Sequence, residues 1–548
     1  MRLRRDAALF SGLVACGLAW SALADPLAVT AAPKAPALVE AAEPAAAPSP
    51  EPVSSRLDLP PPDLPAPVAI APAEAPAPAG SEAAIAVAGR PVIAVPPPPA
   101  VGPAFTPRDT VQGAIAAKLA EPGSVWPARL PRKEREALVA FYAERQGAPL
   151  WTDGAELLGR TENLAGTLAR ADADGLDPAD YPMPVLAPGR AATAAELADA
   201  ELKLSAVLVL YARDARGGRI EPSRLSALIT PKLDLPSAGT VLARLAEAGE
   251  PGAALEFFQP PHAGYRALKA KLAALREQRP GIPSVRRRMG PELTTQAVAG
   301  LGDPSRPVAP LASPRLEGDI LANMERWRWL PADLGQRYVA VNVPEFRLRL
   351  IENGAVAHET RVITGRAETP TPIFSGLMDH AVVNPSWYVP PSILKKEFLP
   401  GLAADPDYAA KRGYEVIRRK GQLSVRQPPG ERNALGFIKF MFPNDHAVYL
   451  HDTPNRTLFG SARRAFSHGC VRVENPFALA DFVLGHEWSE ARLKRLIGRG
   501  ERTITLPLKL PVHLTYFTVD VDPAGEMRSF EDLYGYNRRV RQALGLGG

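Results

Sequence analysis

The run Ser467-His468-Gly469-Cys470-Val471-Arg472-Val473-Glu474 puts a thiol directly after a glycine and two residues before a cation. If this run is extended, Val471 and Val473 share the core face, and Cys470 and Arg472 share the other. A thiol ionises near pH 8.5 and becomes a strong nucleophile when a neighbouring imidazole or cation assists it. Gly469 leaves room for backbone N–H groups to approach an oxyanion. Upstream, Ala447-Val448-Tyr449-Leu450-His451 reads as a strand with Tyr449 and His451 on one face. A loop from Asp452 to Phe466 returns the chain, so His451, 19 residues before Cys470, is the candidate base. Three other readings compete at this point. Cys470 could be a small buried hydrophobe, the histidines could be ordinary surface or core residues, or His451, His468 and Cys470 could bind zinc. The zinc reading lacks CxxC or HxxxH spacing and a fourth ligand.

Several elements must position these groups. Asn475-Pro476 predicts a helix start, with Asn475 as cap and Pro476 at the first helical position. Tyr338–Val343, Phe346–Ile351 and His358–Ile363 read as strands, with Glu352-Asn353-Gly354 as a turn. Ile393–Leu402 and Pro476–Leu484 read as helices. Before this β-rich region the pattern is helical. Arg132–Gln146 sets Leu138, Phe141 and Tyr142 on one face and stops at Gly147. Thr193-Ala194-Ala195-Glu196 is a capping box opening a long helix to Gly217-Gly218. Thr240–Ala248 and Tyr265–Glu277 add two more. Residues 108–280 are expected to form an α-helical domain, residues 281–317 a Pro-rich linker, and residues 318–520 the domain carrying the thiol. Residues 521–548 read as a C-terminal tail or surface helix.

The chain has 548 residues, 60 of them proline, and a formal net charge of +5. The mild basic bias suits an anionic polymer or membrane surface, and no basic run interleaved with aromatics suggests nucleic acid. Residues 25–107 are rich in Pro and Ala, lack helix or strand periodicity, and read as a disordered stalk. Met1–Arg5 is basic, Ala7–Ala22 apolar, and Ala22-Leu23-Ala24 a small-residue cleavage site, so residues 1–24 read as a signal peptide. Leu13-Val14-Ala15-Cys16-Gly17 offers a second reading, lipid attachment at Cys16. Cleavage after Ala24 would leave Cys470 as the lone thiol, with no intramolecular disulfide partner in an oxidising compartment.

Tyr449-Leu450-His451-Asp452-Thr453-Pro454-Asn455, with Arg464-Ala465-Phe466 running into Ser467–Val473, resembles the active-site signature of L,D-transpeptidases with a YkuD-type catalytic domain. The resemblance extends to Glu325–Pro331, Val341–Pro344 and Asn384–Pro391, about residues 318–510 in all, and more faintly to the helical region. It implies an α+β multidomain chain. A β-rich L,D-transpeptidase domain would follow an α-helical domain and a disordered Pro/Ala-rich stalk, in the layout of large periplasmic members of Gram-negative bacteria. It implies that Cys470 attacks a peptidoglycan stem peptide between diaminopimelate and the terminal D-alanine, with His451 as base. Tyr449 and N–H groups near Gly469 and Cys470 would stabilise the oxyanion, with Ser467 and His468 supporting them. Arg472 would orient the site or meet a substrate carboxylate, a structural ion pair being its other reading. Trp387 would line the groove, under a lid at residues 392–433 containing Lys395, Lys396 and Tyr408. The family orients its histidine through a backbone carbonyl, and strand neighbours face opposite ways, so Asp452 is not expected to complete a triad. No cofactor or metal is implied. Amine capture would crosslink two diaminopimelates, water would trim the stem, and a lipoprotein lysine would give outer-membrane lipoprotein attachment. A non-catalytic wall-binding protein is the reading from another class. The implied compartment is the periplasm, with inner-membrane contact only through an anchored N-terminus. Relatives of this size often insert a peptidoglycan-binding module before the Trp-rich segment, and residues 281–315 are too short to supply one.

Overall fold

The computed structural model describes residues 110–120, 126–278, 314–419 and 421–547. The expected signal peptide, Cys16, the stalk and most of the linker lie outside the described residues.

The helical region is built around Ala194–Gly217, which opens with the expected capping box: Thr193 Oγ1 accepts the Glu196 N–H, and the Glu196 carboxylate accepts the Thr193 N–H. Val111–Ala120, Arg132–Glu144, Thr161–Ala169, Ala238–Glu247 and Ala263–Glu277 are the other main helices. Leu138 and Tyr142 are buried as their spacing predicts, but the helix ends at Glu144, short of the expected Gln146, with Arg145 as its C-cap, and Gln146 and Gly147 both turn at positive φ, +55° and +78°. The buried Glu201 carboxylate accepts hydrogen bonds from the Tyr142 hydroxyl and the Leu150 and Trp151 N–H groups, which meets the cost of burying it. Its polar role was hidden in an otherwise apolar helix face.

The thiol domain is a sheet closed on itself. In chain order its strands are β1 (Arg337–Asn342), β2 (Arg347–Glu352), β3 (Ala355–Gly365), β4 (Phe374–Val383), β5 (Trp387–Tyr388), β6 (Glu415–Arg419), β7 (Gln422–Gln427), β8 (Ile438–Met441), β9 (Leu450–His451), β10 (Ala465–Ser467), β11 (Val471–Val473) and β12 (Arg502–Thr515). The large sheet runs β10-β3-β11-β9-β8-β4-β12-β1-β2, and β2 pairs back onto β3. Closure removes the unpaired edges that an open sheet would expose. Val341, Leu348, Met378, Phe440, Leu450, Val471, Val473 and Val512 fill its core, each contributing about 1.5–3 kcal/mol by leaving water. The helix Pro476–Val483 packs on this core. Asn475 precedes it in the left-handed region at φ +52° and makes no side-chain cap, contrary to the expected Asn cap.

β5, β6 and β7 form a separate three-stranded sheet, order β5-β7-β6, which the sequence reading of the lid did not contain. With the helical turns of Pro391–Ala404 it builds a small body around Val389, Phe398, Ala409 and Val425.

In the last segment the expected helix forms as Tyr536–Ala543 but packs inward, burying Tyr536 and Val540, and before it β13 (Val519–Val521) pairs with β14 (Met527–Ser529), two strands that the sequence reading lacked. Tyr516 stacks on Tyr534, and Tyr536 packs tilted against the first and edge-on against the second. Arg541 pairs with Asp319 on the helix Pro314–Trp327. The arginines of this helix masked its few apolar positions in the sequence.

Candidate active site

The alternation around Cys470 folds as its pattern demands. Val471 and Val473 are fully buried in β11, whereas Cys470 and Arg472 face a cavity of about 240 Å³. The turn before the thiol is tightly clipped. Gly469 sits at φ +117°, a conformation that L side chains rarely adopt. The Ser467 hydroxyl donates to the Cys470 carbonyl at 2.5 Å and accepts the Gly469 N–H at 3.1 Å. That N–H is therefore occupied by Ser467 here, rather than aimed into the cavity as an oxyanion donor. Tyr449 lies beside the thiol and draws its pKa down. The thiol also lies 4.0 Å from the Ala447 carbonyl.

His451 lies at the end of β9, whose pairing with β11 sets Leu450 against Val471 and His451 against Arg472. It lines the same cavity as Cys470. Only the last two residues of the expected strand are paired. Ala447 instead turns at φ +52°, and the Tyr449 and His451 rings still meet edge to face at 5.7 Å. His451 Nδ1 lies 2.5 Å from the Asp452 carbonyl oxygen. A carbonyl can only accept, so Nδ1 carries the proton and Nε2 is the basic nitrogen. The Asp452 carboxylate turns away from the imidazole. It accepts the Phe437 N–H at 2.9 Å and pairs with Arg456. No Asp452 triad forms.

The electrostatics describe a neutral pair. Burial lowers the His451 pKa to about 3, with Arg472 adding to the effect. Burial likewise pushes the Cys470 thiol up, against the pull of Tyr449 and Arg472. The resting groups are thus thiol and imidazole, and a proton transfer must accompany attack. Burial keeps the Tyr449 phenol well above its usual range, so it remains an O–H donor.

Among the described residues no carboxylate lies within ion-pair distance of Arg472, and its Nε is buried with no hydrogen-bond partner. Burial lowers its pKa, and the neighbouring Arg366 cation adds to this. An unneutralised guanidinium in a cavity wall is a site for an anionic group.

The lid supplies the far wall. Trp387, Pro390, Ile393, Lys396 and Glu397 line the cavity, and Trp387 hydrogen-bonds to the Tyr449 hydroxyl. Lys395 is not among the lining residues, and Tyr408 packs within the lid against Phe398, beneath Arg412. His468 Nε2 meets Arg366 at 2.6 Å and the Glu397 carboxylate at 3.2 Å, so it ties the thiol turn to the lid. Among the described residues, no three His, Cys, Asp or Glu side chains cluster as metal ligands.

Several supporting residues carried no signal linking them to Cys470. The Thr371 hydroxyl donates to the Gly469 carbonyl at 2.9 Å and accepts the Gly365 N–H at 2.8 Å. Gly365 is obligatory, since a Cβ there would stand 2.2 Å from the Thr369 carbonyl oxygen. The Tyr534 hydroxyl donates to the Gly365 carbonyl at 2.7 Å and accepts the Thr371 N–H at 3.2 Å. The segment expected as a tail therefore reaches beneath the nucleophile turn. The Thr369-Pro370-Thr371-Pro372 run was the one available clue, as a rigid turn after a strand.

Two family models match the chain: a scaffold domain over residues 136–272 and the YkuD L,D-transpeptidase catalytic domain over residues 336–507. A Haemophilus influenzae protein described as "Putative L,D-transpeptidase" is 34% identical over 244 residues, 41% of this chain and 49% of that protein. The chain thus spans about half the length of this curated relative. Among solved structures, a mutant of the Enterococcus faecium L,D-transpeptidase is 14% identical and covers 33% of this chain and 50% of its own, with a TM-score of 0.16. L,D-transpeptidase 1 of Mycobacterium tuberculosis is 12% identical and covers 33% and 61%, also with a TM-score of 0.16. The sequence matches carry the assignment: this chain holds a YkuD-type L,D-transpeptidase catalytic domain behind a helical scaffold domain.

Proposed function

We propose that this protein is a peptidoglycan L,D-transpeptidase that forms diaminopimelate–diaminopimelate crosslinks through a Cys470 acyl-enzyme. The observation that carries the reading is the meeting of Cys470, His451 and the unneutralised Arg472 in one cavity. In the reaction, the Cys470 sulfur bonds to the carbonyl carbon between diaminopimelate and D-alanine as His451 Nε2 takes the thiol proton. The carbonyl electrons move onto oxygen, where the Tyr449 hydroxyl is the available donor. Collapse breaks the C–N bond, and His451 returns the proton to the departing D-alanine amine. An acceptor amine then attacks the thioester, loses its proton to His451, and frees the thiol. Water in place of the amine gives trimming, and a lipoprotein lysine gives attachment.

Intact-mass spectrometry with a carbapenem, followed by muropeptide analysis, tests the proposal. A single covalent adduct and crosslinked dimers support it. Trimmed stems without dimers would move the assignment to a carboxypeptidase, and no adduct would favour a non-catalytic wall-binding protein. A periplasmic location belongs to the same proposal, because its substrate lies there.

Arg472 gives a separate prediction. Its unpartnered Nε and its position in the cavity wall support a pairing with a carboxylate of the stem peptide. Arg472→Gln should raise KM for a tetrapeptide stem by about 10- to 100-fold with a smaller change in kcat. Steady-state kinetics separate the two. An unchanged KM would assign Arg472 to positioning of β11 alone.

A further inference from the structure

The scaffold domain touches the catalytic barrel beside the thiol. Ile229 bridges in parallel to Ile373, just before β4, with the Ile373 N–H donating to the Leu228 carbonyl at 2.8 Å. The Thr230 N–H returns a bond to the Ile373 carbonyl at 3.0 Å. Ile229 is buried in the same cluster as Ile373, Tyr534 and Tyr536. Arg539 and Tyr536 fasten the preceding turn, the first through the Leu225 carbonyl and the second through the Ser226 hydroxyl. The segment is therefore tied to the barrel at both of its ends.

From this strap the Thr230 hydroxyl is hydrogen-bonded to His446 Nε2 at 2.7 Å. The His446 ring also packs on Phe374, at 5.2 Å between centroids. His446 and Ala447 both line the cavity, and the Ala447 carbonyl is the acceptor facing the Cys470 thiol. Ala447 holds φ +52°, an uncommon conformation for alanine that its surroundings must enforce. From within the loop, the Asn444 side chain enforces it by accepting the His446 and Val448 N–H groups and donating to the Phe442 and Val448 carbonyls. From outside, Phe374 packs on the His446 ring and Thr230 supplies its hydrogen bond.

We propose that Thr230 of the scaffold domain is a positioning residue for the transpeptidase site: its bond to His446 holds the 444–448 loop so that the Ala447 carbonyl and Tyr449 address the thiol. The scaffold domain is then a structural part of the active site. This rests on the reading of Cys470 as nucleophile.

The test compares full-length wild type, Thr230→Val, Thr230→Ser, His446→Phe and the Thr230→Val/His446→Phe pair. The readout is the rate of carbapenem acylation by intact mass, measured well below every melting point, with Cys470→Ala as the zero. Thr230→Val keeps the shape and removes the hydroxyl, so acylation should slow about fivefold, the worth of one ordinary hydrogen bond. Thr230→Ser should restore the rate, and the pair should be no slower than His446→Phe alone, because both changes act along one contact. Wild-type rates in Thr230→Val, failure of Thr230→Ser to rescue, or losses that simply multiply in the pair would each overturn the inference. Absence of acylation in the wild type would instead strike at the Cys470 assignment.

Discussion

Replacing Cys470 with alanine should abolish the covalent adduct and lower turnover of a stem-peptide substrate by at least about 10⁴-fold. The fold should survive, since Val471 and Val473 carry the packing of β11 and the Ser467 clip uses only the backbone of residue 470. Thermal melting beside the intact-mass measurement separates the two effects. The neutral resting thiol adds a sharper expectation. Because burial holds the Cys470 pKa up, simple alkylation by iodoacetamide at pH 7 should be slow, while acylation by a ligand that fits the cavity should be fast. Rapid, indiscriminate alkylation would point to a pre-formed thiolate and contradict the neutral pair.

The second large effect belongs to His451. His451→Gln should reduce turnover by about 10²- to 10⁴-fold, because no other base in the cavity lies on a strand paired with β11. The pH dependence follows from the lowered pKa of about 3. In the unfolded chain this histidine takes up a proton near pH 6.5, whereas in the folded state it resists until about pH 3. Between those values the unfolded state binds more protons, so stability is complete above pH 6.5 and drains away as the pH falls. The loss from this group should reach about 3 kcal/mol by pH 4. Denaturant midpoints at pH 7 and pH 4 should therefore separate widely in the wild type and less in His451→Gln. An equal separation in both would place the acid sensitivity elsewhere. In activity, the acid limb of kcat/KM should fall well below pH 6.5, since His451 stays unprotonated there.

Legibility in the sequence followed the physical range of each interaction. The Cys-Val-Arg-Val alternation, the glycine before the thiol and the capping box at Thr193 are local, and each formed as its pattern dictates. His451 and Cys470, paired by a motif in the sequence, line one cavity beside the parallel pairing of β9 with β11. Contacts across long separations were silent. Tyr534 and Thr230 each reach the site from a distant stretch of chain, and nothing in their own neighbourhoods marks them. The lid strands were missed because charged residues such as Arg418 and Arg419 hide the alternation of an exposed two-residue repeat. Asn475 shows the converse: a favourable cap residue took the left-handed conformation instead, since the chain must turn sharply from β11 into the following helix.

The parallel pairing of β1 with β12 sets Val339 against Val512, the two ends of the barrel's sequence. β12 lies between β1 and β4, so the ring cannot close until the final strand is available. Tyr534, which braces the nucleophile turn, comes later still. A chain growing from its N-terminus would carry Cys470 for many residues before any cavity exists to hold it. The barrel around the reactive centre thus closes late, and a polypeptide cut between Cys470 and β12 would carry the thiol in an unclosed sheet.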